Sequence, residues 1–184
     1  VNQAGSRVDS DNLRFDLTHH KKVTHEELRQ IESIVNREIL ENTEVKTSVK
    51  DYDDARKEGA IAMFGAKYGD TVRVLSIGDF SKELCGGTHV ERTGDIGFFK
   101  VKEESSLAAG VRRIVAVTGP KAVEYIQEQS AVMEKLQSKL TTTSEDLGPR
   151  MDQLLQKKKD LETKIKRQEV INLKRKKDIL KKQL

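Results

Sequence analysis

The apolar positions of this chain change period along its length, and each change marks a different kind of element. In LRFDLT (13–18), Leu13, Phe15 and Leu17 alternate with Arg14, Asp16 and Thr18, which is the two-residue period of a half-buried strand. The residues before it, VNQAGSRVDSDN (1–12), show no period and no start-like signal, and read as the middle of something. Leu28, Ile31, Val35 and Ile39 fall at steps of three and four, one face of a helix over 24–41. Thr24 and Glu27 have the spacing of a capping box, in which each side chain satisfies a backbone N–H freed at the helix start. EVKTSVKD (44–51) alternates again as a strand, and YDDARKEG (52–59) reads as a short helix ended by Gly59. TVRVLSIGDF (71–80), GFFKVKEES (97–105) and GVRRIVAVTG (110–119) are β-branched-rich strands. Strands with two interspersed helices make residues 1–119 an α+β domain.

Pro120 opens a different region, since proline suits the first turn of a helix. Ala122, Ile126, Gln129, Met133, Leu136 and Leu140 step by four and three, a heptad seam with one polar break. TTTSEDLGP (141–149) reads as a turn. Met151, Leu154, Lys158, Leu161 and Ile165 then resume the pattern, and the apolar positions slip to Val170, Leu173, Leu180 and Leu184 like a stutter. Residues 120–184 therefore read as an antiparallel helical hairpin, a coiled coil with an overhanging basic end.

Composition sharpens this division. Hydrophobic residues make up 35% of the 184, charged residues another 35%, and there is no tryptophan; that is lean for one globule and fits an extended, solvated helix. Residues 150–184 carry 13 Lys and Arg against 5 Asp and Glu, a net +8; the whole chain is +4, so residues 1–149 are −4. A basic arm on a mildly acidic body suits a polyanionic partner. A solvated helix whose lysines serve solubility fits the same charges. No apolar run approaches the ~20 residues that span a bilayer, and no segment has the pattern of a signal peptide. One cysteine forms no internal disulfide, which points to a reducing, cytoplasmic setting.

That cysteine lies in ELCGGTHVERTGDIG (83–97), with His89 four residues on and Gly86, Gly87 and Thr88 between. Thiolate and imidazole are the common zinc donors, and Cys-x3-His is a workable spacing for two of them. The glycines favour a tight loop that turns both side chains inward. A pair is only half of a four-donor site, and a small buried cysteine beside a surface histidine accounts for the same letters. The other histidines, His19, His20 and His25, do not form a matching pair.

The blocks QAGSRVDSDNLRFDLTH (3–19), GAIAMFGAKYGDTVRVLSIGDFSKELCGGTHVERTGDIG (59–97) and SSLAAGVRRIVAVTG (105–119) closely resemble the alanyl-tRNA synthetases, in the editing domain and the start of the coiled coil that follows it. The resemblance covers residues 1–140. It implies a mostly antiparallel sheet with packed helices, of the threonyl/alanyl-tRNA synthetase editing-domain type. It implies hydrolysis of mischarged Ser-tRNA(Ala) and Gly-tRNA(Ala), in a parent that joins alanine to tRNA(Ala) using ATP in an upstream domain. Such a step has a physical motive: one methyl is worth only ~1–3 kcal/mol of discrimination, so an alanine pocket rejects glycine and serine weakly.

By this resemblance Cys85 and His89 match one of two zinc-binding pairs, while the family's His-x3-His pair falls before Val1. The expectation is therefore an incomplete zinc site and an inactive fragment, unless His19, His20 or His25 substitutes. Gln3 matches a pocket glutamine, and a frayed polar terminus is the plainer alternative. Glu83 is placed to orient a ligand or act on water, or is simply a surface glutamate. Gly86, Gly87 and Thr88 form the pocket loop. Arg112 and Arg113 point to opposite faces of a strand; one is available for the tRNA terminus, the other for a salt bridge. Arg14 and Asp16 are expected to pair with each other. The expected partners are tRNA(Ala) and, through the coiled coil, further copies of the chain. The competing reading is a tRNA-binding or oligomerisation module without catalysis of its own.

Overall fold

The structure is a computed structural model that describes residues 1–62 and 68–182, with side chains through 177. Residues 63–67 of the second resemblance block lie outside it, as do Leu184 and the side chain of Leu180 from the expected stutter.

Among the described residues, seven strands form two antiparallel sheets. The first has the order β1 (Gln3–Val8), β2 (Leu13–Thr18), β7 (Val111–Thr118), β6 (Phe99–Ala108). The second has the order β3 (Val45–Asp51), β4 (Thr71–Ile77), β5 (Ser81–Leu84). Strand β1 lies in the stretch 1–12 where the sequence shows no period. It is an edge strand with little burial, so no apolar alternation marks it; pairing with β2 creates it. The strand expected over 71–80 ends at Ile77 as β4; a turn with Gly78 at φ +49° then leads to β5, beyond the expected span.

Helix α1 (His25–Leu40) covers the first sheet. Leu28, Val35 and Ile39 pack with Leu17, Phe99, Ile114 and Ala116. Its capping box is formed: the Glu27 N–H donates to Thr24 Oγ1 at 3.2 Å, and the Thr24 N–H to Glu27 Oε2 at 2.7 Å. The helix also closes the free edge of β6. The Phe99 N–H donates to Asn36 Oδ1 (2.8 Å), Asn36 Nδ2 to the Phe99 carbonyl (2.9 Å), and the Val101 N–H to Glu32 Oε1 (2.8 Å). An exposed strand edge is thereby supplied with partners it would otherwise seek in another chain. Helix α2 (Tyr52–Lys57), capped by Asp51, presents Ala55 to Val72, Val74 and Leu84 of the second sheet.

Between the sheets, Thr93 in a short 3-10 helix (Thr93–Ile96) is buried; its hydroxyl donates to the Glu38 carbonyl (2.8 Å) and accepts from the Thr43 N–H (2.9 Å). Gly97 follows at φ +69°, and a Cβ there would lie 2.9 Å from Gly119 Cα.

Helix α3 (Gly119–Leu140) carries Pro120 in its first turn, and α4 (Leu147–Lys182) starts inside the span expected to be a turn, with Pro149 in its first turn. Proline lacks only an N–H that is unpaired at that position anyway. The compact units are Val1–Gln127 and Glu128–Leu184. The start of α3 belongs to the first, because Ala122 is fully buried and Lys102 Nζ lies 5.5 Å from the Tyr125 ring centre. Both helices and their turn are present, but the expected seam is open: Met133, Leu136, Met151 and Leu154 are 38–42% exposed, and Leu161, Ile165, Val170 and Leu173 are 52–60% exposed. A closed coiled coil is not shown among the described residues.

Candidate metal centre

Cys85 and His89 are brought together. Sγ and Nε2 are 3.2 Å apart, across a loop that leaves the end of β5. The Cys85 N–H donates to the Arg73 carbonyl (3.2 Å), which ties the first residue of the loop to β4. Gly87 lies under the pair: a Cβ there would stand 3.6 Å from Sγ and 3.7 Å from Nε2, so the loop passes close beneath both donors. A tetrahedral zinc with ordinary bond lengths separates sulfur from nitrogen by about 3.6 Å, so the observed pair needs to open by only a few tenths of an ångström. Donor chemistry and spacing both fit two of four zinc positions.

Among the described residues, no cluster of three or more His, Cys, Asp or Glu is placed to hold a metal. His19 and His20 do not substitute. The His19 N–H donates to the Gly110 carbonyl, and the His20 ring lies against Gly110, at the β6–β7 turn. That turn is at the Thr18 end of β2, whereas the cleft beside His89 is at the Leu13 end. Six strand residues, roughly 17 Å, separate the two ends. His25 sits in the first turn of α1, in a separate hollow with Lys22 and Glu104.

The pair lies between two clefts. On one side, His89 and Thr88 face the β1–β2 turn (Asp9–Asn12) and the start of α3 across a space of about 660 Å³. On the other, Cys85 and Gly86 line a hollow of about 310 Å³ with Tyr68, Thr71 and Arg73. Neither described lining includes Gln3 or Glu83. Gln3 opens β1 opposite Leu17, and Glu83 lies in β5 opposite Leu75, two residues before Cys85.

Both arginines of β7 are held by carboxylates. Arg113 forks onto Asp16 (Nε to Oδ1 2.7 Å, Nη2 to Oδ2 2.9 Å), directly opposite in the β2–β7 register. Arg112 Nε donates to Glu104 Oε1 at 2.5 Å, on the other face. The Arg113 hydrogen bonds hold the Asp16 carboxyl below the usual range, and the Arg112 bond does the same for Glu104. Arg14 approaches Asp16 only at 3.7 Å, so the expected Arg14–Asp16 pair is secondary to Arg113. Sequence reasoning missed Arg73, whose guanidinium reaches the loop carbonyls; its lone position in an alternating strand gives no sign of that reach.

Residues 72–115 match the threonyl and alanyl tRNA synthetase second additional domain. Proteins named alanine--tRNA ligase are similar over 165 residues, 90% of this chain: 48% identical in Fervidobacterium nodosum and 52% in a Janthinobacterium species. One from Legionella pneumophila is 49% identical over the same length. The chain spans about a fifth (19%) of the length of these relatives. The matched domain holds β4, β5, the Cys85–His89 loop and most of β7. By this kinship the chain belongs with the alanyl-tRNA synthetases and corresponds to the stretch of them that carries the second additional domain.

Proposed function

We propose that this chain is the editing portion of an alanine--tRNA ligase and takes part in hydrolysing the ester of Ser-tRNA(Ala) and Gly-tRNA(Ala). The observation that supports it most directly is the 3.2 Å approach of Cys85 and His89 on a glycine loop. In this reading Cys85 and His89 supply two donors to a zinc ion, and the remaining donors come from outside the described residues. Bound zinc supplies Lewis acidity toward the ester carbonyl or a water. The chain's own residues supply the shape: Gly86 and Gly87 leave room beside the donors, and Thr88 and His89 border the larger cleft. The whole protein would join alanine to tRNA(Ala) using ATP, in the cytoplasm; no described helix is long and apolar enough to cross a membrane.

Zinc content of a synthetase that carries this stretch together with the remaining donors, compared with its Cys85→Ala variant, tests the reading. Tight zinc that disappears with Cys85→Ala supports it, and deacylation of Ser-tRNA(Ala) by that zinc-loaded protein, lost in the variant, supports the editing step. Zinc retained by Cys85→Ala would overturn the assignment of the ligand.

A second reading, an RNA-binding or assembly module, rests on α4, whose residues are exposed from Pro149 to Lys177 and rich in Lys and Arg. If α4 contacts tRNA, affinity falls steeply with salt, and exchanging Lys157, Lys158 and Lys159 for Glu weakens it across RNA sequences alike. Affinity unchanged by the triple exchange would remove α4 from the interface.

A further inference from the structure

Arg73 makes three hydrogen bonds to the Cys85–His89 loop. Its carbonyl accepts the Cys85 N–H at 3.2 Å. Its Nη1 donates to the Cys85 carbonyl at 3.2 Å and, more closely, to the Gly87 carbonyl. On the far side, its Nη2 is 3.5 Å from Thr47 Oγ1 of β3, which steadies the guanidinium between two strands and the loop. One cation thus bridges two carbonyls that flank Gly86. A Gly-Gly loop has many conformations of similar energy, because neither residue has a Cβ to restrict it. Pinning the carbonyls on either side of Gly86 leaves the loop few of these conformations. The one selected puts Sγ and Nε2 3.2 Å apart.

We propose that Arg73 is a positioning residue for the metal pair: it holds the loop in the conformation in which Cys85 and His89 act as a two-donor unit. The inference rests on the zinc reading above for its chemistry, and on hydrogen bonds of the loop for its geometry. The arginine fork suits this task better than lysine. The two N–H groups of Nη1, fixed in the guanidinium plane, address both carbonyls while Nη2 stays with Thr47, whereas an ammonium on a flexible stem has no second nitrogen to fix its direction. Outer groups that orient metal ligands characteristically change affinity by about 10–100-fold when removed.

The test is carried out on the full chain, with Co2+ and Zn2+ as probes. Co2+ titration reads the Kd and the cobalt–thiolate charge-transfer band, and a thermal melt reads folding. Arg73→Met removes the donors while keeping the stem; Arg73→Lys restores one. The expected result is a Co2+ Kd weakened about tenfold or more in Arg73→Met, partly recovered in Arg73→Lys, with both variants folded. A Kd and band unchanged in folded Arg73→Met would overturn the proposal. If the wild type binds neither metal, the two donors do not suffice by themselves, and the clamp is read without metal by proton NMR. A nuclear Overhauser contact between Cys85 Hβ and the His89 ring, present in wild type and lost in Arg73→Met, supports the clamp. The same contact persisting in Arg73→Met overturns it. Should Arg73→Met not fold, Arg73→Lys alone decides, since lysine keeps the charge but not the fork: wild-type metal affinity and an unchanged Cys85–His89 contact would overturn the proposal.

Discussion

Asp16 is 5% exposed, and its two oxygens are held by Arg113. Arg113's hydrogen bonds favour the charged carboxylate, so its pKa is lower folded than unfolded. A carboxyl depressed on folding stabilises the native state above the unfolded value, near 4, and loses that contribution as pH falls toward its own lower value. Glu104, depressed mainly by its bond from Arg112, acts in the same direction. The urea midpoint should therefore be flat near neutrality and fall below about pH 4. Asp16→Asn should be less stable at pH 7 and show a shallower acid limb. An acid limb parallel to wild type would mean that Arg113 does not bind the charged form preferentially. At Gly97, φ +69° and the 2.9 Å approach to Gly119 Cα act together, so Gly97→Ala should destabilise by about 1–3 kcal/mol in urea unfolding. A loss within a few tenths would show that the two backbones separate readily.

At the scale of elements, α1 both covers a sheet and finishes one of its edges. Its capping box is readable as Thr24 and Glu27 three residues apart, and Thr24→Ala should cost about 1 kcal/mol. Asn36 gives no such sign. It is a polar residue on a helix, yet its amide serves both the N–H and the carbonyl of Phe99, 63 residues away. Asn36→Ala leaves both groups short of partners and should cost about 1–3 kcal/mol, more than the cap despite its plainer sequence context. Equal losses in the two variants, measured by the same urea titration, would show that water replaces the amide at the β6 edge.

At the scale of the molecule, one unit has the cores and the other carries much of the charge. Val1–Gln127 contains both apolar clusters, while most of α4 is bathed in solvent. A chain ending at Gln127 should keep a cooperative thermal transition close to that of the full chain, since the residues removed bury little. Loss of that transition would show that the helices beyond Gln127 stabilise the body. The open seam of α3 and α4 also predicts that association, if it occurs, depends on concentration and on those apolar positions; sedimentation of the full chain with Leu161 and Ile165 exchanged for Ser measures this.

The sequence by itself determined the elements whose period is set by local burial: β2, α1, α2, β6 and β7 all lie within a few residues of the pattern that predicts them, because one face of each meets a core; β3 is found where its alternation puts it, although Val49 is exposed. It also determined the donor types and spacing at Cys85 and His89. Tertiary structure alone decided what depends on partners distant in sequence. Strand β1 exists through β2, Arg113 belongs to Asp16 through the strand register, and Asn36 reaches Phe99 because a helix happens to lie over that edge. The same holds for Cys85 and His89. Two side chains four residues apart on a double-glycine loop have no fixed separation of their own, and it is an arginine from the neighbouring strand, bound to the carbonyls of that loop, that gives them one.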